Sequence, residues 1–418
     1  MEADMRRRVV VTGMGTVNPL GNNVDELWDG ISQGKSGIGR ITRFDPSELP
    51  SQIAGEVKNF DPTLFMDKKE SRKMALFSQY AVVSAVQAMK MAGLTSDNFN
   101  TEKAGIILGN GIGGFEILQD AFKVMFDKGT GRIPPMTIPK ILSNEGAGNI
   151  AIHTGITGSV FSINTACASG TDAIGQAANS IRYGLNDVMV AGGTEGGLNE
   201  MGVGGFCVLK ALSTSYNETP ETACRPFDAS RDGFIIAEGA GILVLEELKH
   251  AEKRGANILA EIVGYGSTAD AFHLTAPTPD GRGAARAMML ALEDGGLKPE
   301  DIDYVNAHGT STPANDPIET KAIKAALGEH AYKIKVSSTK SMTGHLVGAA
   351  GALEAIISIL AIRNNFYPPT INHHTPGDGC DLDYVPNKGI KGEIKTVLSN
   401  SLGFGGHNAV VALREYVK

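Results

Sequence analysis

Cysteine is scarce: Cys167, Cys207, Cys224 and Cys380 are the four in 418 residues. They show no paired spacing, no C-x-x-C and no zinc-ligand cluster, which points to a reducing compartment, the cytoplasm. Basic charge is not in excess either. With 38 basic against 46 acidic residues the net charge is −8, so the surface as a whole is not built for nucleic acid. An anionic partner would need a local basic patch. Long apolar runs are also missing. The opening M-E-A-D-M-R-R-R-V-V-V-T-G has only a three-residue apolar run after its arginines, short of the ~7–15 of a signal core. Residues 346–362 come nearest to a membrane span but carry Glu354 near the middle, which fits a helix buried in a large soluble core.

What is abundant is glycine, 52 residues, and it mostly ends short apolar runs. R-V-V-V-T-G-M-G, A-G-I-I-L-G-N-G, D-V-M-V-A-G-G-T-E, I-L-A-E-I-V-G-Y-G and I-D-Y-V-N-A-H-G each read as a buried strand meeting a turn. Helical stretches such as S-Q-Y-A-V-V-S-A-V-Q-A-M-K-M-A-G lie between them, so the expected class is α/β with largely buried sheets. The chain also restarts. Residues 165–181 (T-A-C-A-S-G-T-D-A…) resemble 342–359 (M-T-G-H-L-V-G-A-A-G…), each a small-residue turn leading into an Ala/Gly-rich helix. Two duplicated halves, 1–256 and 257–418, would explain the pair.

Cys167 sits in S-I-N-T-A-C-A-S-G-T-D-A, where small neighbours let a bound atom approach and the following helix aims free N–H groups at the sulfur. Such donors favour a thiolate and could hold an oxyanion. On the residues alone, Cys167 is either a nucleophile or an inert buried thiol. His308, in N-A-H-G-T-S-T, and His345, in K-S-M-T-G-H-L-V-G-A-A-G, stand in glycine-rich turns with few bulky neighbours, and Lys340 precedes His345 by five residues. One cysteine and two histidines in such turns form a set with chemical meaning. G-N-G-I-G-G (109–114) matches a dinucleotide pattern, but no second strand with a terminal acid follows, so nucleotide binding is not expected.

T-A-C-A-S-G, N-A-H-G-T-S-T, K-S-M-T-G-H-L-V-G-A-A-G and N-S-L-G-F-G-G-H-N, in this order, resemble the condensing enzymes of fatty-acid synthesis. More specifically, the chain resembles bacterial elongating β-ketoacyl-[acyl-carrier-protein] synthases of type II. It covers the chain from Arg8 nearly to its end. The resemblance implies the thiolase fold, two duplicated α/β halves in a five-layered α-β-α-β-α arrangement, as a homodimer. It implies decarboxylative condensation of a malonyl thioester with an acyl chain on Cys167, with His308 and His345 acting on the malonyl unit. Lys340 and Glu319 would belong to a polar network orienting the histidines. Phe404 would be a gate and, with Cys167, an oxyanion donor. Thr310 and Thr312 would bind the pantetheine arm, and Ile112 and Phe206 would line the acyl pocket, with Ile112 leaving depth for medium to long chains. No cofactor is required, since 4′-phosphopantetheine arrives on the acyl carrier protein. A structural Na⁺ or K⁺ would sit at Asn306, Glu354, Ser399 and Asn400. Carrier-protein docking would fall to Lys68, Lys69, Arg72 and Lys73, whose four-residue spacings place pairs on one helix face, and to Arg132 and Lys210.

The chain departs from the pattern at Cys207 and Val208, which follow Phe206 where relatives have smaller residues, and at His407, where threonine is common. A thiolase would need a second cysteine in the C-terminal glycine loop, and a starter-unit enzyme would carry asparagine in place of His345. A non-catalytic chain-length factor would lack Cys167. A type I-like condensing enzyme and a polyketide ketosynthase stay open.

Overall fold

The computed structural model describes residues 6–418. Ten strands carry the architecture: β1 (Val9–Val17), β2 (Ala104–Asn110), β3 (Val160–Ile163), β4 (Val188–Glu195), β5 (Gly239–Glu247), β6 (Ala260–Ala269), β7 (Tyr304–Asn306), β8 (Lys335–Ser337), β9 (Thr396–Gly403) and β10 (His407–Arg414). Their order is β8-β7-β9-β10-β6-β1-β5-β4-β2-β3. Read from the outer edges inward, the two ends repeat: three parallel strands, then two antiparallel ones, in each half. The halves join where β1 pairs with β6 through Val9–Ile262, Val10–Glu261 and Val11–Ala260.

Five helices complete the layers. α1 (Leu76–Ala92) covers the outer face of the first sheet, and α3 (Arg282–Gly295) with α4 (Asn315–Leu327) covers the second. Between the sheets lie α2 (Ser169–Arg182) and α5 (Ala350–Asn364). The result is the five-layered thiolase fold. Close approach of layers explains part of the glycine content. A Cβ on Gly13 or Gly15 of β1 would meet a carbonyl oxygen of α1 at 2.1 or 2.0 Å, and one on Gly264 or Gly266 of β6 would meet α3 at 2.0 or 2.1 Å. The same device at the same place in both halves supports their duplication.

The apolar stretch noted above is α5, and residues 350–362 are all buried between the sheets. Among the described residues it forms part of the one helical segment long and apolar enough to cross a bilayer, and it is the interior of the molecule. Each Leu or Ile placed there contributes about 1.5–3 kcal/mol by leaving water. α5 and α2 thereby fix the two turns that precede them.

Candidate active site

β3 runs into a tight turn, Ala166–Ala168, that opens α2 and carries Cys167. Ala166 is left-handed, with φ 51°, a conformation that costs an L-residue roughly 1–2 kcal/mol. Hydrogen bonds hold it: Thr165 N–H donates to Ser169 Oγ (2.9 Å) and Ser169 Oγ–H to the Ala166 carbonyl (2.7 Å). Thr165 Oγ1 donates to Asp172 (2.6 Å), whose other oxygen accepts from Tyr265 of β6 (2.5 Å), tying the turn to the second half.

The histidines come from the other half. His308 follows β7, and its N–H and that of Gly309 donate to the two oxygens of Glu319, each at 2.7 Å. His345 sits after Gly344 (φ 70°), with its N–H on the Ile235 carbonyl (2.7 Å) and its carbonyl accepting from Ala237 (2.9 Å). Its Nε2 lies 3.0 Å from Cys167 Sγ. The imidazole rings stand edge to face, centroids 5.2 Å apart, and the sulfur and one nitrogen of each ring lie within 4.8 Å of one another. They share a cavity of about 480 Å³.

Electrostatics keep the trio uncharged. Burial, followed by the Lys340 charge, pushes both histidines well below the ordinary imidazole range. Burial also pushes the Cys167 thiol up to about 11, against the opposing pull of Lys340 and of the N–H groups of Phe404 and Cys167 itself. The helix-start donors are present, but desolvation outweighs them, so the expectation of a resting thiolate is corrected to a thiol beside a neutral imidazole. Nδ1 of both histidines is buried without a partner, so at His345 the contact of Nε2 with the Cys167 thiol alone sets the tautomer, the S–H donating and the ring proton on Nδ1.

The chain matches the family described as "Beta-ketoacyl synthase, N-terminal domain" over residues 6–251 and "Beta-ketoacyl synthase, C-terminal domain" over 259–374. The chain belongs to the β-ketoacyl synthase family. It is 50% identical to the 3-oxoacyl-[acyl-carrier-protein] synthase 2 of Coxiella burnetii, with 98% of each chain covered. It is 49% identical to the protein of that name from Synechocystis, covering 98% of this chain and 99% of the other. A solved type II polyketide ketosynthase, bound to a hexaketide and in complex with its acyl-carrier protein, superposes with TM-score 0.91 at 37% identity, covering 99% of this chain and 100% of that one.

Other residues singled out in this ketoacyl synthase fall into distinct places. Lys340 forms a buried ion pair with Glu354 rather than with Glu319, which instead holds the His308 backbone and accepts from Asn400 Nδ2 at 3.2 Å. Phe404 aims its N–H at the Cys167 sulfur and packs its ring 6.4 Å from that of Phe206. Gly405 (φ 83°) and Gly406 (φ 74°) follow it, where a branched side chain would resist the turn. Thr310 and Thr312 line the cavity with hydroxyls 3.2 Å apart. Ile112 and Phe206 line the cavity and also an apolar groove beyond it, along the helix Glu200–Val208. They form the wall between two hollows.

Glu354 Oε2, Ser399 Oγ and Asn400 Oδ1 are buried oxygens without hydrogen-bond partners, the donor chemistry a monovalent cation takes. The Asn306 side chain is spent on Thr339, Ser358 and the Glu354 carbonyl. Lys68, Lys69, Arg72, Lys73, Arg132 and Lys210 are all exposed, and Lys210 lines the cavity. The helix beneath the first four spans only Lys68–Ser71, with Arg72 as its C-cap, so Lys73 lies past its end and the expected shared face is not continued to it. Glu195 went unnoticed in sequence. Its buried carboxyl, pushed up to about 7 by desolvation, contacts both the Ile112 segment and the turn after His345. An acid closing the buried run D-V-M-V-A-G-G-T-E was the available signal.

Proposed function

We propose that the protein is an elongating 3-oxoacyl-[acyl-carrier-protein] synthase of the type II kind. The observation that carries this reading is Cys167 Sγ lying 3.0 Å from His345 Nε2, in one cavity with His308 and the Phe404 N–H.

In the first half-reaction the Cys167 sulfur attacks the acyl thioester. His345 Nε2 accepts the thiol proton and passes it to the departing pantetheine sulfur, so charge is separated only in transit. The N–H groups of Cys167 and Phe404 stabilise the tetrahedral oxyanion. In the second, the malonyl C–C bond breaks, CO₂ leaves and the electron pair moves onto the thioester oxygen as an enolate. N–H donors on the neutral rings of His308 and His345 hold that oxygen. Once Cys167 is acylated no thiol proton is donated to Nε2 of His345, so the neutral ring can carry its proton there, lost from Nδ1 and regained at Nε2 through water in the cavity. Nε2 is thus an acceptor in one step and a donor in the next. The enolate carbon attacks the acyl-Cys167 carbonyl, the C–S bond breaks, and the sulfur takes one proton from water. Metal and redox cofactors have no step here. The pantetheine arm on the carrier protein passes Thr310 and Thr312. A structural Na⁺ or K⁺ fits the free oxygens of Glu354, Ser399 and Asn400, while Asn306, its side chain occupied, serves that site only through its main chain.

The partner is an acidic acyl carrier protein docking on Lys68, Lys69, Arg72, Lys73, Arg132 and Lys210, and the chain works as a homodimer in the cytoplasm. Dimerisation is supported by the outermost strand β3, an unpaired sheet edge whose Phe161 is 46% exposed. A polyketide ketosynthase is the second reading, favoured by the 37%-identical solved complex. The discriminating experiment gives the purified protein a ladder of acyl carrier substrates with malonyl carrier protein. One condensation on each saturated medium to long chain is expected, whereas repeated condensation of one chain without reduction would favour the polyketide reading. Turnover confined to short donors would count against the elongating reading, and Cys167→Ala should form no product.

A further inference from the structure

The two halves repeat down to single residues around the nucleophile. The turn Ala166–Ala168 before α2 has its counterpart in the turn Val347–Ala349 before α5. Each opens with a non-glycine residue in the left-handed region, Ala166 at φ 51° and Val347 at φ 46°. Cys167 therefore corresponds to Gly348. Each turn rests on the strand end of the opposite half, the first on β9 and the second on β4. β4 and β9 are each eight residues long. Aligning them pairs Glu195 with Gly403 and Gly196 with Phe404.

The N–H pair of Cys167 and Phe404 thus has an equivalent, the N–H groups of Gly348 and Gly196. At the Cys167 turn the position before Phe404 is glycine, and a Cβ there would come within 2.8 Å of the Thr165 carbonyl and 3.1 Å of the Cys167 nitrogen. That hole stays open for substrate. At the Gly348 turn the corresponding residue is Glu195, at the end of β4, and its side chain occupies the space. Glu195 Oε2 accepts from Gly348 (3.1 Å) and from Gly111 (3.0 Å), while the N–H groups of Gly196 and Ile112 add further favourable charge. Oε1 is buried without a hydrogen bond, so the carboxyl belongs to this cage alone.

We infer that the turn before α5 keeps a duplicate anion hole plugged by Glu195 from the β4 end of the opposite half, and that this residue is a positioning residue fixing the Ile112 wall of the acyl pocket to the turn that follows His345. Gly111, Ile112 and Val347 line the reaction cavity, while Glu195 lies behind them. Ile112 also faces the outer groove, so its placement governs how far an acyl chain extends. The inference rests on the condensing-enzyme reading and assigns a determinant of chain length within it.

The test compares full-length wild type, Glu195→Gln and Glu195→Ala. Each is acylated at Cys167 from short-, medium- and long-chain acyl carrier protein and read by intact-protein mass spectrometry, with condensation measured separately. The Ala variant should change the long-to-short acylation ratio by about tenfold, within the range expected when a reacting group's surroundings shift by a fraction of an ångström. Gln, which keeps an oxygen for Gly111 and Gly348, should rescue the wild-type ratio, and added formate should restore it in the Ala variant. An unchanged ratio in Glu195→Ala, or an equal loss at every length that neither Gln nor formate repairs, would overturn the inference. If the Ala variant does not fold, Glu195→Asp decides: a shifted ratio supports the plug, and a wild-type ratio in both Asp and Gln overturns it. Wild type that forms no condensation product defeats the condensing-enzyme reading instead, so the two failures are distinguishable.

Discussion

His345 Nε2 stands 3.0 Å from Cys167 Sγ although 178 positions separate them in the chain, and each belongs to a different half of the molecule. Thiol and imidazole meet as neutral groups, because burial raises one and lowers the other.

Alkylation should report that pairing directly. With the thiol held near 11, the rate of Cys167 modification by iodoacetamide should climb with pH through the whole range from neutrality to about 10. A rate already level at neutral pH would show a resting thiolate and contradict the assignment. Cys167→Ala provides the blank.

Lys340 and Glu354 form a buried ion pair, so removing one partner leaves the other's charge stranded. Lys340→Met should destabilise the protein by roughly 3–5 kcal/mol, and Lys340→Met/Glu354→Gln should recover most of it in urea unfolding. The double variant also removes the positive charge that depresses both imidazoles. Their folded pKa values should rise, so condensation should begin to fall at a higher pH on acidification than in wild type. An unmoved acid limb would refute the role given to Lys340.

The sulfur and the two imidazoles, within 4.8 Å, are also a donor set for a soft divalent ion. Zn²⁺ should inhibit condensation reversibly, protect Cys167 from alkylation and be removed by a chelator. In His308→Ala the inhibition should weaken by about tenfold or more. That variant should also lose about 10²–10³ in its own condensation rate, through loss of an enolate donor.

Charge reversal at Lys69 and Arg72 should weaken carrier-protein binding, more at low than at high ionic strength, as titration at two salt concentrations would show. Equal affinity at low salt would remove this patch from the docking surface.

Much of the centre could be read from the chain because reactive groups sit in turns that tolerate few side chains. Cys167, His308 and His345 each announce themselves by small neighbours, and the repeat of 165–181 in 342–359 foretold two halves. Burial depth was not readable. The N–H donors around Cys167 argued for a thiolate, and only the surrounding protein shows how completely water is excluded. The partner of Lys340 was missed because Glu354 looked like a polar interruption of an apolar helix rather than a counter-ion. The role of Glu195 needs the β4 and β9 ends seen together with the opposite turns, a relation across the fold that no local pattern encodes. At Lys73 the four-residue spacing misled, because the helix stops before reaching it.

The seam between β1 and β6 has a consequence for how such a chain could be divided. Residues 254–259 connect the halves at the surface end of that seam, after the helix Leu248–Lys253. Cleaved there, one fragment would own the sulfur and the other both imidazoles. Neither piece could complete a turnover by itself, and catalytic competence would return only upon their reassociation.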